Sequence, residues 1–214
     1  MKYFLALLLT WPTSAQSLSF GLMGGVPLTD AFSTSRGDRV SYSSVTRRYT
    51  VGPTAEIGLP LAGLSLEMDA LYRRIGWNGS GIATPLFEGF QSTARFGAWD
   101  FDALMKRRIG GQGIHPYAGA GAAFRRLFTT RANYVFPSPP SFLTEQLTAE
   151  LGHKNIAGLV LSGGIETGGG ALRTAAELRY TRWLMNNVHE SIPNLSTQAN
   201  QIEILVSFTL GRHR

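Results

Sequence analysis

Ile202-Glu-Ile-Leu-Val-Ser-Phe-Thr-Leu210 sets Ile202, Ile204, Val206, Phe208 and Leu210 on one side and Glu203, Ser207 and Thr209 on the other. A period of two marks an extended strand, because successive side chains point to opposite faces. The same division runs through residues 64–73, where Leu64, Leu66, Met68, Ala70 and Tyr72 oppose Ser65, Glu67, Asp69 and Arg73. Trp99, Phe101, Ala103 and Met105 oppose Asp100, Asp102 and Lys106. Leu172, Thr174, Ala176, Leu178 and Tyr180 oppose Arg173, Glu177 and Arg179. Working outward, strand-like stretches centre on residues 20–26, 49–59, 64–72, 96–105, 117–124, 156–165, 172–180 and 202–210. Their links alternate long and short, and the short ones are 60–63, 110–113 and 168–171. Every short link therefore falls at one end and every long loop at the other. That is the plan of an all-β, eight-stranded antiparallel up-and-down transmembrane β-barrel, with short periplasmic turns and long external loops.

The N-terminus carries Lys2, an apolar run over residues 3–9, and then Pro12-Thr-Ser-Ala15. This charged, apolar and small-residue order predicts a secretory signal peptide over residues 1–17, cleaved after Ala15 to Ser17. The run is about half of the ~20 residues that a membrane-spanning helix needs. Residues 18–214 then form one barrel domain, a length that suits a single unit. The chain has no cysteine, so its stability is expected from a closed hydrogen-bond ladder and not from disulfides. Charged residues are only 16%, against about a quarter in ordinary soluble domains. The net charge of +6 is almost wholly arginine, with Lys2, Lys106 and Lys154 the only lysines. An exported chain does not meet nucleic acid. Arginine suits bidentate pairing with carboxylates inside a barrel and contact with lipid phosphate at its rim.

Alternation alone does not say which face is inside, since a soluble lipocalin-like binder would turn the apolar face toward a pocket. The scarcity of lysine and the mixture of carboxylates with arginine point to a polar interior. Eight strands leave a lumen that side chains can fill. Glu56, Glu67, Asp69, Arg73, Asp100, Asp102, Lys106, Arg173, Glu177, Arg179 and Glu203 are expected to form an ionic network there that blocks free diffusion. Tyr72, Trp77, Tyr180 and Trp183 lie near strand ends next to long loops and are read as an aromatic girdle. Arg36, Arg39, Arg47, Arg48, Arg125, Arg126 and Arg131 are read as an external basic rim, suited to anionic lipopolysaccharide head groups. The stretch 115–124, rich in Gly and Ala on both faces, leaves its register open, and residues 129–153 read as a long third loop.

Several segments together resemble the small bacterial outer-membrane β-barrel proteins related to the transmembrane domain of the OmpA family. They are Pro116-Tyr-Ala-Gly-Ala-Gly121, Gly163-Gly-Ile-Glu166, Glu177-Leu-Arg-Tyr180 and the terminal Phe208-Thr-Leu210. The resemblance covers nearly all of the mature chain and implies a bacterial outer-membrane address, outer-membrane lipid as surroundings and assembly by the barrel-insertion machinery. The chain departs from the pattern in running on as Gly211-Arg-His-Arg214, where such proteins usually close on an aromatic residue.

The function this reading favours is a structural or interaction role through the external loops of a monomer, without enzymatic activity. One constellation supports an enzyme as the alternative. His189-Glu-Ser191 with Glu203 is similar to the His-x-Ser pair and later Glu of the lipid A deacylases, with Ser as nucleophile, His as base and a carboxylate to hold the imidazole. Ile192 stands where that family has Asn. His115, His153, His189 and His213 are scattered, so neither metal nor cofactor is expected. Arg36-Gly-Asp38, in the first long loop, spells an adhesion tripeptide that a polar loop also acquires by chance.

Overall fold

The computed structural model describes residues 17–34, 40–61, 63–81, 90–110, 113–136, 143–145, 153–168, 171–186 and 195–211. Eight strands close on themselves: β1 (Leu18–Pro27), β4 (Thr50–Gly58), β5 (Leu64–Gly81), β6 (Phe90–Arg108), β7 (Ile114–Phe136), β9 (Asn155–Thr167), β10 (Leu172–Trp183) and β12 (Asn200–Gly211). Every neighbouring pair is antiparallel, and β1 against β12 completes the ring, with Phe20 opposite Leu210 and Val26 opposite Ile204. Four short strands lie in the long connections. β3 (Val40–Ser44) adds to the outer part of β5, β8 (Leu143–Glu145) adds to β7, and β2 (Phe32–Thr34) pairs with β11 (Leu195–Thr197).

The three short links turn at Gly63, Gly113 and Gly168, whose φ values of 75°, 86° and 130° lie where a side chain is rarely tolerated. Each is therefore a tight reversal at the same end of the barrel.

The two faces are inverted relative to a soluble protein. Leu18, Phe20, Leu22, Val51, Phe101, Met105, Phe124, Leu159, Leu161, Ile165, Leu178, Ile204, Phe208 and Leu210 are all exposed on the outside. Arg73, Lys106, Arg125, Arg173, Arg179 and eight carboxylates are buried inside. Water would not tolerate so continuous an apolar exterior, whereas hydrocarbon requires it. This overturns the soluble lipocalin-like alternative, whose apolar face would have to line the interior.

The strands β5, β6 and β7 run well past the 9–11 residues that span a bilayer and continue as a ribbon beyond the barrel on the long-loop side. This corrects the expectation of a long third loop over residues 129–153, because residues 129–136 belong to β7. Beyond the hydrocarbon an apolar outer face is no longer required, so the sequence there reads as loop although its backbone is paired.

The register of β7, open in the sequence, is fixed by Tyr117, Ala123, Arg125 and Leu127, which are buried inside. Gly121 shares their face, and a Cβ placed there would run into the backbone carbonyl of Ala103 on β6. The curvature of a small barrel crowds inward-pointing Cβ atoms, and glycine relieves that crowding. Gly163 on β9 points outward, with its nearest neighbour at 3.9 Å. Gly121→Ala is therefore expected to lower stability by about 1–3 kcal/mol while Gly163→Ala leaves it nearly unchanged, as read by urea unfolding in lipid vesicles. Equal effects at the two sites would contradict the assigned register.

Candidate functional site

The lumen is filled by stacked charged layers. Nearest the short links, Arg108 at the end of β6 bridges Glu56 on β4 and Glu166 on β9, at 3.0 Å from the latter. Arg173 on β10 holds the same two carboxylates at 3.7 and 3.0 Å and donates to the Ser19 hydroxyl.

In the middle layer Arg179 is fully buried and reaches Glu67 at 3.1 Å, Asp69 at 2.8 Å, Asp102 at 2.7 Å and Glu177 at 2.7 Å. Lys106 pairs with Glu67 at 2.6 Å and lies 4.0 Å from the Tyr117 ring centroid. The Tyr117 hydroxyl donates to Glu177 at 2.9 Å.

Above it, Arg73 joins Asp100 at 2.7 Å to Glu203 at 2.8 Å. Arg125 grips Asp100 with two bonds, 2.6 and 2.8 Å, and donates to Gln201 at 2.7 Å. Its guanidinium lies over Trp183, 4.2 Å from the centroid, and the Trp183 indole also donates to Gln201. Planar guanidinium groups suit these multidentate contacts better than ammonium groups do. Arg179 ties β10 to β5 and β6 across the lumen, so the bonds act as internal struts as well as filling.

An apolar plug sits over the charged layers at the long-loop end. Ile75, Trp77, Ala94, Phe96, Ala98 and Leu127 from β5, β6 and β7 pack with Ala31, Phe32 and Leu195. Phe32 meets Trp77 edge-on at 5.0 Å, and Trp77 meets Phe96 at 4.9 Å. Phe32 and Leu195 arrive on the β2–β11 pair, so the first and last long connections together cover the outer mouth.

All eleven residues read from the sequence as lumen-facing are buried there: Glu56, Glu67, Asp69, Arg73, Asp100, Asp102, Lys106, Arg173, Glu177, Arg179 and Glu203. Sequence reasoning missed Arg108, Glu166, Tyr117, Gln201 and Ser19 as lumen groups. Arg108 shares the parity of Lys106, and Glu166 the parity opposite to Ile165, so continued alternation would have found both.

Three assignments are corrected. Trp77 and Trp183 are 1% and 3% exposed and face inward, so they are not part of a girdle. Trp77 has the parity of Arg73, and Trp183 that of Arg179, and proximity to a loop does not override that. Arg125 is 1% exposed and belongs to the lumen, not to the rim, because it has the parity of Tyr117 and meets Asp100.

Tyr72 and Tyr180 are half-buried on the outer face. Tyr72 packs on Trp99 at 5.4 Å, and Trp99 on Phe101 at 6.4 Å. Of the basic rim, Arg47, Arg48 and Arg126 are exposed. Arg48 lies 3.9 Å from Asp30, and Arg126 lies over Phe128. Arg131 is placed by its backbone on β7, opposite Arg95. Arg36, Arg39, His189 and Ser191 lie outside the described residues. Glu203 is held by Arg73 inside the lumen, so it does not present a free carboxylate at the outer surface where a lipid substrate would lie. Among the described residues there is no cluster of His, Cys, Asp and Glu that could hold a metal ion.

No protein-family model and no curated protein matches the sequence. Among solved structures, the chain is similar to the outer membrane protein OprG from Pseudomonas aeruginosa, with a TM-score of 0.57 at 10% identity over 93% of this chain and 96% of that one. It is also similar to Neisserial surface protein A, with a TM-score of 0.50 at 14% identity over 91% of this chain and 96% of that one. At such identities the likeness is one of fold, and the fold is the closed eight-stranded barrel of bacterial outer-membrane proteins.

Proposed function

We propose that the chain is a non-enzymatic barrel of the bacterial outer membrane that acts through its external face and does not conduct. On this reading, residues 1–17 direct export, the short links face the periplasm, and the ribbon of β5, β6 and β7 with the long connections stands outside the cell. Outer-membrane lipid and the barrel-assembly machinery are its expected partners, and it works as a monomer. The observation that carries the reading is the closed lumen: charged layers cross-linked from wall to wall, under an apolar plug. A water-filled pore would need a wider ring or a displaced plug. The fold shared with two outer-membrane proteins supports the address.

The folded protein in planar bilayers should give no stable large conductance, and it should migrate faster on gels before boiling than after. Steady channel openings from the folded monomer would overturn the reading.

The outward arginines support a second element of the proposal, attraction to anionic lipopolysaccharide. Guanidinium groups at the outer edge of an apolar belt lie at the depth of lipid phosphate, where such contacts are favourable.

A further inference from the structure

We infer that the outer wall of the barrel carries a built site for the phosphate of an outer-leaflet glycolipid, made by Arg47, Arg74 and Arg95; this rests on the outer-membrane reading above. The three arginines come from different parts of the chain and line one cavity of ≈ 760 Å³ with Ser44, Val45, Thr46 and the plug residues Ile75 and Phe96. They are brought together by the ladder. The Arg47 amide donates to the Arg74 carbonyl at 3.1 Å, and the Val45 amide donates to the Gly76 carbonyl at 2.9 Å. Gly76 pairs in turn with Arg95 on β6. A Cβ at Gly76 would run into the Ala94 backbone carbonyl of β6, so glycine permits the close strand approach that sets Arg74 and Arg95 side by side. Between Arg95 and Phe96 the register against β7 shifts by one residue, passing over Thr130 of β7 and setting Arg131 opposite Arg95.

The depth suits a head group. Arg74 stands one outward position above Tyr72, which packs on Trp99 at the upper edge of the apolar belt, and the Arg74 Nε donates to the Tyr72 hydroxyl at 3.3 Å. All three arginines are exposed, and among the described residues no carboxylate pairs with any of them. The other outward arginines do not line this cavity: Arg48 lies near Asp30, Arg126 covers Phe128, and Arg182 donates to Asn200 at 2.6 Å. Three like charges gathered around one cavity repel each other until an anion enters. A phosphate monoester offers several acceptor oxygens to converging guanidinium groups. Val45 and the neighbouring apolar belt leave room for acyl chains, which a free anion does not need.

The test uses the full-length protein folded in vesicles, with fluorescent diphosphoryl lipid A as probe. The triple variant R47Q/R74Q/R95Q should bind it at least about tenfold more weakly, since each lost charge-assisted contact contributes at that level. The R48Q and R107Q variants should change binding less than about twofold. Lipid A stripped of phosphate should bind the parent no better than it binds the triple variant. Inorganic pyrophosphate at matching concentration should not displace the probe.

Unchanged binding by the triple variant would overturn the site, as would equal losses in R48Q or R107Q. Displacement by pyrophosphate would replace a lipid site with a general anion site and would also overturn it. Heat-modifiable migration of the triple variant verifies folding. Failure of the broader reading would show separately, as conductance or as loss of membrane residence in the parent.

Discussion

Arg179→Leu is expected to cost the barrel about 3–5 kcal/mol, the usual effect of removing one partner from a buried ionic cluster. Among the described residues, Arg179 is the single cation that Glu67, Asp69, Asp102 and Glu177 share, and only Glu67 has a second one, Lys106. Without Arg179 the lumen retains four carboxylates in a space from which water is largely excluded. Repulsion between them and unrelieved desolvation then act together. Arg179→Lys should restore part of the loss, because an ammonium supplies the charge but cannot span four acceptors with a planar fork. Urea unfolding of the vesicle-inserted protein reads the effect, with Arg182→Leu as the exposed control. A loss at Arg179 no larger than at Arg182 would mean that the cluster does not hold the barrel together.

Leu178→Arg, one residue away, should be comparably damaging for the opposite reason. Leu178 is 54% exposed on the outer face and lies opposite Ile204, well inside the apolar belt. An arginine on the lipid face near the bilayer middle costs about 2–4 kcal/mol, falling toward ~0–1 kcal/mol at the interface. Leu172→Arg, beside the short link and equally outward, should therefore be far milder. The gradient between the two positions is the diagnostic measurement. In a water-soluble barrel neither substitution would matter, since each would only add a charge to a solvated surface. A flat profile would count against membrane insertion of this face.

These adjacent residues show why the fold was legible in the sequence. Within the bilayer every second position must satisfy hydrocarbon and every other one must satisfy a crowded polar interior, so residues 172–180 and 202–210 reveal both the strand and its orientation. The short links were equally readable, because their reversals need glycine at positive φ. The lumen followed from parity; carried past the strand centres the same parity reaches Arg108 and Glu166, whereas Arg125 lies on β7, whose Gly and Ala on both faces left its register open. Trp77 and Trp183 were misplaced where residue type was given more weight than alternation. Those two indoles pack inward, one in the plug and one beneath the Arg125 guanidinium.

The outer ribbon was not legible, for a physical reason. Asn78, Gly79, Ser80 and Gly81 have turn-like composition, yet Val40–Ser44 and Phe90–Thr93 pair with that stretch on either side. Outside the hydrocarbon the outer face no longer has to be apolar, which removes the selection for pattern while leaving the backbone bonds intact. The phosphate-lining arginines were hidden similarly. Arg47 was readable as basic rim, but its convergence with Arg74 and Arg95 arises from cross-strand pairing and has no local signature.

The β2–β11 pair continues the β1–β12 seam outward, with the Leu28 amide donating to the Ile202 carbonyl and the Gln198 amide to the Ala31 carbonyl. Its strands flank the first and last staves of the barrel, so its ladder extends the seam that closes the ring. Phe32 and Leu195 are expected to become shielded as that seam forms, which would make the strap a record of closure. Loss of protease access to its backbone should coincide with the sealing of the β1–β12 seam, not with the docking of any earlier strand.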